Sequence, residues 1–519
     1  MMKPIRIVIA TALAFAAGAG ASLAAVDKIV IKSREPYHAS RVGPYLKISG
    51  TFVGSLDPDE PIPNLAKAAR RPDGRVEYES GFTILAPESP TAGNRVLLFD
   101  VENNGRPVTH GLYNTPNEGA NSALDFGNGF IEDNGYIVAV ADWQSGRGIG
   151  LPEVPGPDGK PMPLTGVGFA AVRDFAAFLR FETKDHAGTA NPVAGALDHA
   201  IAAGSSQTGR FLKSFVHYGF NRAGTRIVFE GLHVHLGQSG SMPFIPPTGV
   251  SQETINLTLT GDSSVYPFTY AEVFAPLAGR GEAPPKIIAT NVEADYFRRR
   301  LSLVRSGANG YTEQPIPASV RMWDVGGASH GIIPTQDCDM PRSNLDWHPV
   351  LRAALVRLTS WVVSNQAPPP TQLIPLGPAE PVPYLLPAPA KDYPNAKLMV
   401  PKRNADGNSE GGIRLPLVAV PLQTWGAWNA PLANNCGDMA GFAHPFAKTR
   451  FQRMMTNDAR PSLEERYASR ADFMQKIAAA AETLVKDGYL LSADAEVMTE
   501  NARKSSISIP EAAATDKRE

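Results

Sequence analysis

Between residues 26 and 364 the chain alternates short, continuously apolar runs with longer segments whose apolar residues recur every three or four positions. The short runs are RVLLFDVEN (95–103), GYIVAVAD (135–142), DHAIAAG (198–204), IVFEGLHVHL (227–236), KIIATNVEAD (286–295) and SVRMWDVGG (319–327). They favour β-branched residues and lack the strict alternation of a half-exposed strand, which predicts strands covered on both faces. Between them, GFAAVRDFAAFLRF (168–181) sets Val172, Phe175, Phe178 and Leu179 on one stripe, and NLDWHPVLRAALVRLTSWVV (344–363) has the same helical period. Strand, helix, strand order predicts an α/β fold: a doubly wound, mostly parallel sheet with helices on both faces. Residues 26–90 are expected to supply an antiparallel leading sheet.

Two Pro/Gly-rich stretches break this pattern. The first, residues 144–166, follows a strand's carboxyl end, where ligands sit in open α/β sheets. The second, residues 365–390, is too proline-dense for a helix or central strand and reads as an extended crossover leaving the core. Beyond it come a β-like run, IRLPLVAVPLQTW (413–425), a terminal helical pair around residues 462–491, and a tail from Ser505 expected to fray. No internal repeat is present.

The first residues belong to a different pattern. Lys3 and Arg6 precede an apolar run at 7–17, too short to span a bilayer, and Ser22-Leu23-Ala24 fits a small-x-small cleavage site. The expected organisation is a leader over 1–24, a core over 25–365, and the crossover with a C-terminal extension packing back on the core over 366–519. The protein is expected to be exported, to the periplasm or beyond the cell, without a stable membrane anchor.

Composition adds exclusions. With 43% hydrophobic and 19% charged residues the chain is globular, and a net charge of −2 gives no reason to expect nucleic acid as a partner. The two cysteines, Cys338 and Cys436, are a candidate disulfide in an exported protein, closing a loop of 98 residues. The sequence sets no oligomeric state.

Candidate chemistry begins at AIAAGSSQTGRFLKSF (200–215), where an apolar run breaks at a glycine, shows two serines and resumes as an amphipathic helix. A nucleophile elbow needs small residues around its serine because the turn is sharp. Gly204-Ser205-Ser206-Gln207-Thr208-Gly209 meets this with Ser206 at the centre, its second glycine displaced by one position. Ser206 would stand clear of the sheet, Gln207 would offer a backbone N–H to an oxyanion, and Ser205 would be packing. A serine needs a base, and His330, in a Gly-rich loop after the last predicted strand, is best placed. The carboxylate orienting it is Asp295 or, since strand ends are uncertain by several residues, Glu293. Asp324 shares a strand and loop with His330 and is a poorer choice. Ser206, Asp295, His330 is the chain order of the α/β-hydrolase fold. A further oxyanion donor is expected from Asn103-Asn104-Gly105, with the N–H of Asn104 favoured. Trp143, Gln144, Gly204 and His235 are candidate pocket residues. His233 and His235 alternate along a strand, but no third ligand has convincing spacing, so no metal is expected.

These segments, with GSSQTGRFLKSFVHYGFN, GYIVAVADWQ, TNVEADYF, GASHG, APPPT and GFAHPFAKTRFQRMMTNDARPSLEERY, resemble the large, usually exported α/β hydrolase domain-containing proteins, over about residues 95 to 500. No catalytic requirement dictates PFAKTR or RPSLEERY, so these carry much of the resemblance. It implies a serine hydrolase fold with a C-terminal extension and supports Ser206, His330 and the acid in EADYF. Members often carry Glu where this chain has Asp295, which keeps Glu293 open. The expected activity is hydrolysis of a small-molecule carboxylic ester without a cofactor. A peptidase or acyltransferase with the same triad, and a binding protein that lost catalysis on this fold, are the alternatives.

Overall fold

The apolar runs assemble into one sheet. In the computed structural model the described residues are 26–115, 123–242, 268–299, 301–306, 312–332, 337–378, 399–429, 436–504 and 509. The expected leader and cleavage site lie outside them, as do residues 379–398 of the crossover and, apart from Ile509, the tail from Ser505. The sheet's strands, numbered along the chain, are β1 (Val26–Ser40), β2 (Gly43–Leu56), β3 (Val76–Pro87), β4 (Val96–Asp100), β5 (Ile137–Ala141), β6 (His199–Ser205), β7 (Gly231–His235), β8 (Lys286–Val292) and β9 (Val320–Val325). Their spatial order is β1-β2-β3-β5-β4-β6-β7-β8-β9.

The strands β1 to β3 form an antiparallel meander that joins β5, so the leading sheet is the antiparallel end of the main one. From β5 to β9 every pairing is parallel. After β4 the chain steps to one side to make β5, then crosses to the other side to make β6. That reversal opens a crevice between the carboxyl ends of β4 and β6, the place where open α/β sheets bind ligands.

Of the helices α1 (Gly166–Phe181), α2 (Gln207–His217), α3 (Tyr270–Gly279) and α4 (His348–Ser364), α1, α2 and α4 lie on the sheet and α3 packs on α2. The α1 and α2 face buries Phe169, Phe175, Phe211 and Phe215 against the strands, with Phe169 and Phe211 stacked at 4.2 Å between ring centres. On the opposite face α4 packs with Trp323 and Trp347. That same cluster takes in Ile413, Leu415, Trp425, Trp428, Phe442 and Tyr489, so the C-terminal region shares a core with the sheet.

Three expectations shift. The strand expected over 227–236 starts only at Gly231, because Arg226–Ile227 turns back to pair with Arg222–Ala223 and the Glu230 carboxylate receives the Ala200 N–H. The β-like run at 413–425 is half helical: Pro416, with φ already fixed, opens a turn over Pro416–Ala419 before the strand Gln423–Gly426 pairs with Phe442–Pro445. The terminal helices are α5 (Arg470–Asp487) and α6 (Ser492–Lys504), while SLEER forms its own turn, Leu463–Arg466, with a Ser462/Glu465 capping box. Ser469 caps α5 and Gly488, at φ 84°, ends it. Arg352 of α4 grips Asp494 of α6 at 2.6 Å, fixing the last helix to the core.

Cys338 and Cys436 form a disulfide with Cα atoms 5.8 Å apart, joining the loop after β9 to the C-terminal region. Among the described residues no helix is long and apolar enough to cross a membrane.

Candidate active site

Ser206 stands between the last residue of β6 and the first of α2, with φ 55° and ψ −107°. A side-chain-bearing residue in that region is strained by about 1–3 kcal/mol and persists only where its surroundings hold it. The hold is visible. The Ser206 N–H donates to the His235 carbonyl at 2.9 Å, and Thr208 Oγ1 both receives the Ser205 N–H at 2.9 Å and donates to the Ser205 carbonyl at 3.1 Å. A Cβ on Gly204 would fall 2.6 Å from the Thr208 carbonyl oxygen. One on Gly209 would fall 2.7 Å from the His235 carbonyl oxygen and 2.9 Å from Gly237 Cα. Thus Thr208 takes the usual glycine position because its hydroxyl laces the turn, and Gly209 is where the helix meets the β7 exit.

The Asn103-Asn104 turn after β4 abuts this elbow. Asn103 Nδ2 donates to the Ser205 carbonyl at 2.9 Å, and the Asn104 N–H donates to Gln207 Oε1 at 3.3 Å. Asp100, buried at the end of β4, receives the N–H groups of Val108 and Thr109 and the Thr109 hydroxyl, which pins the far side of the turn. The Gln207 N–H, at the first position of α2, has no acceptor within the helix.

At the carboxyl ends of β8 and β9, His330 Nδ1 and Asp295 Oδ1 are 2.7 Å apart, with Asp295 fully buried. Asp295 Oδ2 has no hydrogen-bond partner, and Arg299 Nε lies 3.7 Å from Oδ1. Glu293 faces elsewhere: its carboxylate receives the Gly327 N–H at 2.6 Å and pairs with Arg403. Asp324 is held by Arg305, Asn291 and the Ile374 N–H. The imidazole therefore meets Asp295 and neither of the other two acids.

Trp347 joins the two halves of the site. Its Nε1 donates to the Ser329 carbonyl at 3.1 Å, and its ring lies 4.8 Å from that of His235, whose carbonyl receives the Ser206 N–H. Ser206 Oγ itself accepts from Gln238 Nε2 at 3.3 Å, and no hydrogen bond joins it to His330 in this structure.

A family model described as an alpha/beta hydrolase domain matches residues 142–500. The chain belongs to that family. Among solved structures it is similar to the S-formylglutathione hydrolase of Staphylococcus aureus, at 9% identity over 47% of this chain and 80% of that one, with a TM-score of 0.24. It is also similar to acetyl xylan esterase 1 from a Thermoanaerobacterium species, at 12% identity over 57% and 81%, TM-score 0.27. Carboxyl esterase 2 of Tuber melanosporum is a third, at 13% identity over 53% and 76%, TM-score 0.24. No curated protein matches the chain.

Beside the elbow of this α/β hydrolase lies a cleft of about 400 Å³, lined by Asn103, Ser205, His110, Leu112, Trp347 and His348 among others. Ser205, expected to be packing, borders this cleft instead, because the space between the Asn103 turn and the start of α4 is left open. The candidate pocket residues do not border it. Trp143 packs on Phe211 at 4.5 Å and donates to the Glu102 carbonyl, Gln144 is buried, and Gly204 abuts Thr208. His235 is fully buried, with Nδ1 on Thr290 Oγ1 at 2.9 Å; His233 Nε2 meets the same hydroxyl at 2.9 Å. Burial pushes His233 down to about 3 and His235 well below the ordinary imidazole range, so both are neutral. Among the described residues no group of three His, Cys, Asp or Glu side chains is arranged to hold a metal.

Two buried cations on α2 escape the sequence reading. Burial, with Arg299 nearby, lowers Arg210 to about 10; burial, with Arg210 nearby, lowers Lys213 to about 7. Their spacing reads as the polar side of an amphipathic helix, and the structure turns that side inward.

Proposed function

We propose that this protein is an exported serine hydrolase that cleaves carboxylic esters, with Ser206 as nucleophile, His330 as general base and acid, and Asp295 as the group orienting His330. The observation carrying this reading is the strained Ser206 elbow at the same sheet edge as the His330–Asp295 pair. Asp295 on Nδ1 leaves Nε2 as the acceptor for a proton, and the buried carboxylate stabilises the imidazolium that forms. Catalytic hydrogen bonds often tighten only once substrate is bound. In the proposed cycle, substrate binding brings the Ser206 hydroxyl onto His330 Nε2.

Ser206 Oγ then attacks the ester carbonyl as His330 takes its proton, and His330 returns that proton to the departing alcohol. The oxyanion is received by the Gln207 N–H and by the Asn104 N–H, which Gln207 Oε1 releases by rotating its side chain. Water, activated by His330, cleaves the acyl-enzyme. Export is supported by the leader pattern at residues 1–24 and by the Cys338–Cys436 disulfide, a bond that persists in oxidising compartments.

A fluorophosphonate probe and a panel of aryl esters, peptides and acyl acceptors test the reading. Labelling on Ser206 with ester turnover is expected, and Ser206→Ala should lose both while unfolding at the wild-type midpoint. A fully active Ser206→Ala would refute the assignment, and an unlabelled wild-type protein would point to a binding role.

A further inference from the structure

Gln238 is buried in the turn after β7, and its side-chain amide is the group that contacts the proposed nucleophile, Nε2 to Ser206 Oγ at 3.3 Å. The backbone delivering it is strained: Leu236 has φ 53° and Gln238 φ 39°, left-handed values at two residues with bulky side chains. Three contacts hold this turn in place. The Leu236 N–H donates to the Thr290 carbonyl at 2.9 Å, Gly237 lies against Gly209, and the Lys213 ammonium donates to the Gln238 carbonyl. Lys213 is fully buried, with its Nζ 5.1 Å from the centre of the Phe268 ring and the Glu272 carboxylate near enough to oppose the fall in its pKa. Burying an amine that can carry charge is costly even with these neighbours, so a fold that needed only packing at this position would carry an apolar residue. What the lysine holds is the carbonyl of the residue whose amide touches Ser206.

We infer that Gln238 is a catalytic residue, donating to the Ser206 oxygen, and that Lys213 is a positioning residue acting through it. This rests on the reading of Ser206 as nucleophile. An amide donor to a lone pair on Oγ leaves the hydroxyl proton free for His330. It favours the oxygen as charge builds on it during attack, and again when that oxygen departs from the acyl-enzyme. In the intermediate ester Oγ is a weaker acceptor, so the contact strengthens at both transition states, which is the condition for raising kcat instead of lowering KM.

The experiment compares wild type, Gln238→Met, Lys213→Met and the double variant on an aryl ester, with the active-site concentration fixed by fluorophosphonate titration. Gln238→Met, close in shape but without the donor, should lower kcat by about 10- to 100-fold, the range for a hydrogen bond to a charged group, and leave KM within about two-fold. The rate of fluorophosphonate labelling should fall by a similar factor. Lys213→Met should lower kcat per labelled site, and the double variant should be no worse than Gln238→Met, because the lysine acts through the glutamine. Full additivity would overturn the positioning role. If Lys213→Met does not yield folded protein, Lys213→Gln, which keeps a donor, takes its place in the cycle. A Gln238→Met enzyme with wild-type kcat and labelling rate, alongside an inactive Ser206→Ala, would overturn the inference while leaving the nucleophile intact. An active Ser206→Ala would instead remove the reading beneath it.

Discussion

Two acids only two positions apart, Glu293 and Asp295, take different tasks because the chain leaves β8 directly into a short helix, Ala294–Arg298. Two residues apart on helical backbone, side chains project to nearly opposite sides. Asp295 therefore reaches His330 while Glu293 reaches Gly327 and Arg403. Asp295→Asn should lower kcat by about 10³- to 10⁴-fold with folding preserved, since an amide favours the wrong imidazole tautomer. Glu293→Gln should act the other way, lowering stability by about 1–3 kcal/mol through the weakened Arg403 pair while retaining most activity per folded molecule. Parallel denaturation curves and ester kinetics on the two variants check this, and a reversal of the pattern would exchange their roles. The sequence left both acids open because strand ends are the least legible boundary. Ser206 and His330 could be proposed from the sequence, since each sits in a glycine-bounded turn whose chemistry shows in residue types. Gln238 could not, because its contact with Ser206 comes from left-handed backbone at Leu236 and Gln238, which no propensity of Leu or Gln announces.

At the level of elements, the packing of α2 against the β7 exit sets the position of Ser206. Helix and turn touch backbone to backbone at Gly209, whose missing Cβ lets the His235 carbonyl and Gly237 come close. Gly209→Ala should therefore destabilise the protein by about 1–3 kcal/mol, as overpacking does, and reduce ester turnover per folded molecule because the Gln238 turn must give way. Chemical denaturation alongside active-site titration measures both effects; an alanine variant with unchanged stability and rate would show that this contact is loose. The parallel strands were legible because burial on two faces leaves continuous apolar runs. The boundary of β7 was less so: Val228 and Phe229 are buried outside the strand, and burial alone marks no hydrogen-bond ladder. The displaced glycine of the elbow became intelligible only through two contacts, the Thr208 hydroxyl bonding within the turn to Ser205 and Gly209 meeting the β7 exit.

Over the whole molecule, the C-terminal region is tied to the sheet by a shared aromatic core, the Arg352–Asp494 ion pair and the disulfide. A loop of this length gives chain-entropy stabilisation of about 4–5 kcal/mol when closed, with measured effects of about 2–5 kcal/mol. Replacing Cys338 and Cys436 together by serine should lower stability within that range. Protein recovered from an exporting host should begin near residue 25 and contain no free thiol, whereas the same chain made in a reducing cytosol should match the double-serine variant. Intact mass, thiol titration and thermal melts read these outcomes, and free thiols in the exported protein would dismiss both the bond and the compartment.

Glu293 also bears on how such a chain can change over generations. Its carboxylate is fully buried beneath the histidine loop, where burial raises its pKa and Arg403, from beyond the crossover, opposes that shift. A recombination event that grafted on a tail without an arginine at this spot would leave an acid buried under the His330 loop with its counter-charge gone. The two segments are thus bound to be inherited as a pair, and lineages that shuffle one should show the matching exchange in the other.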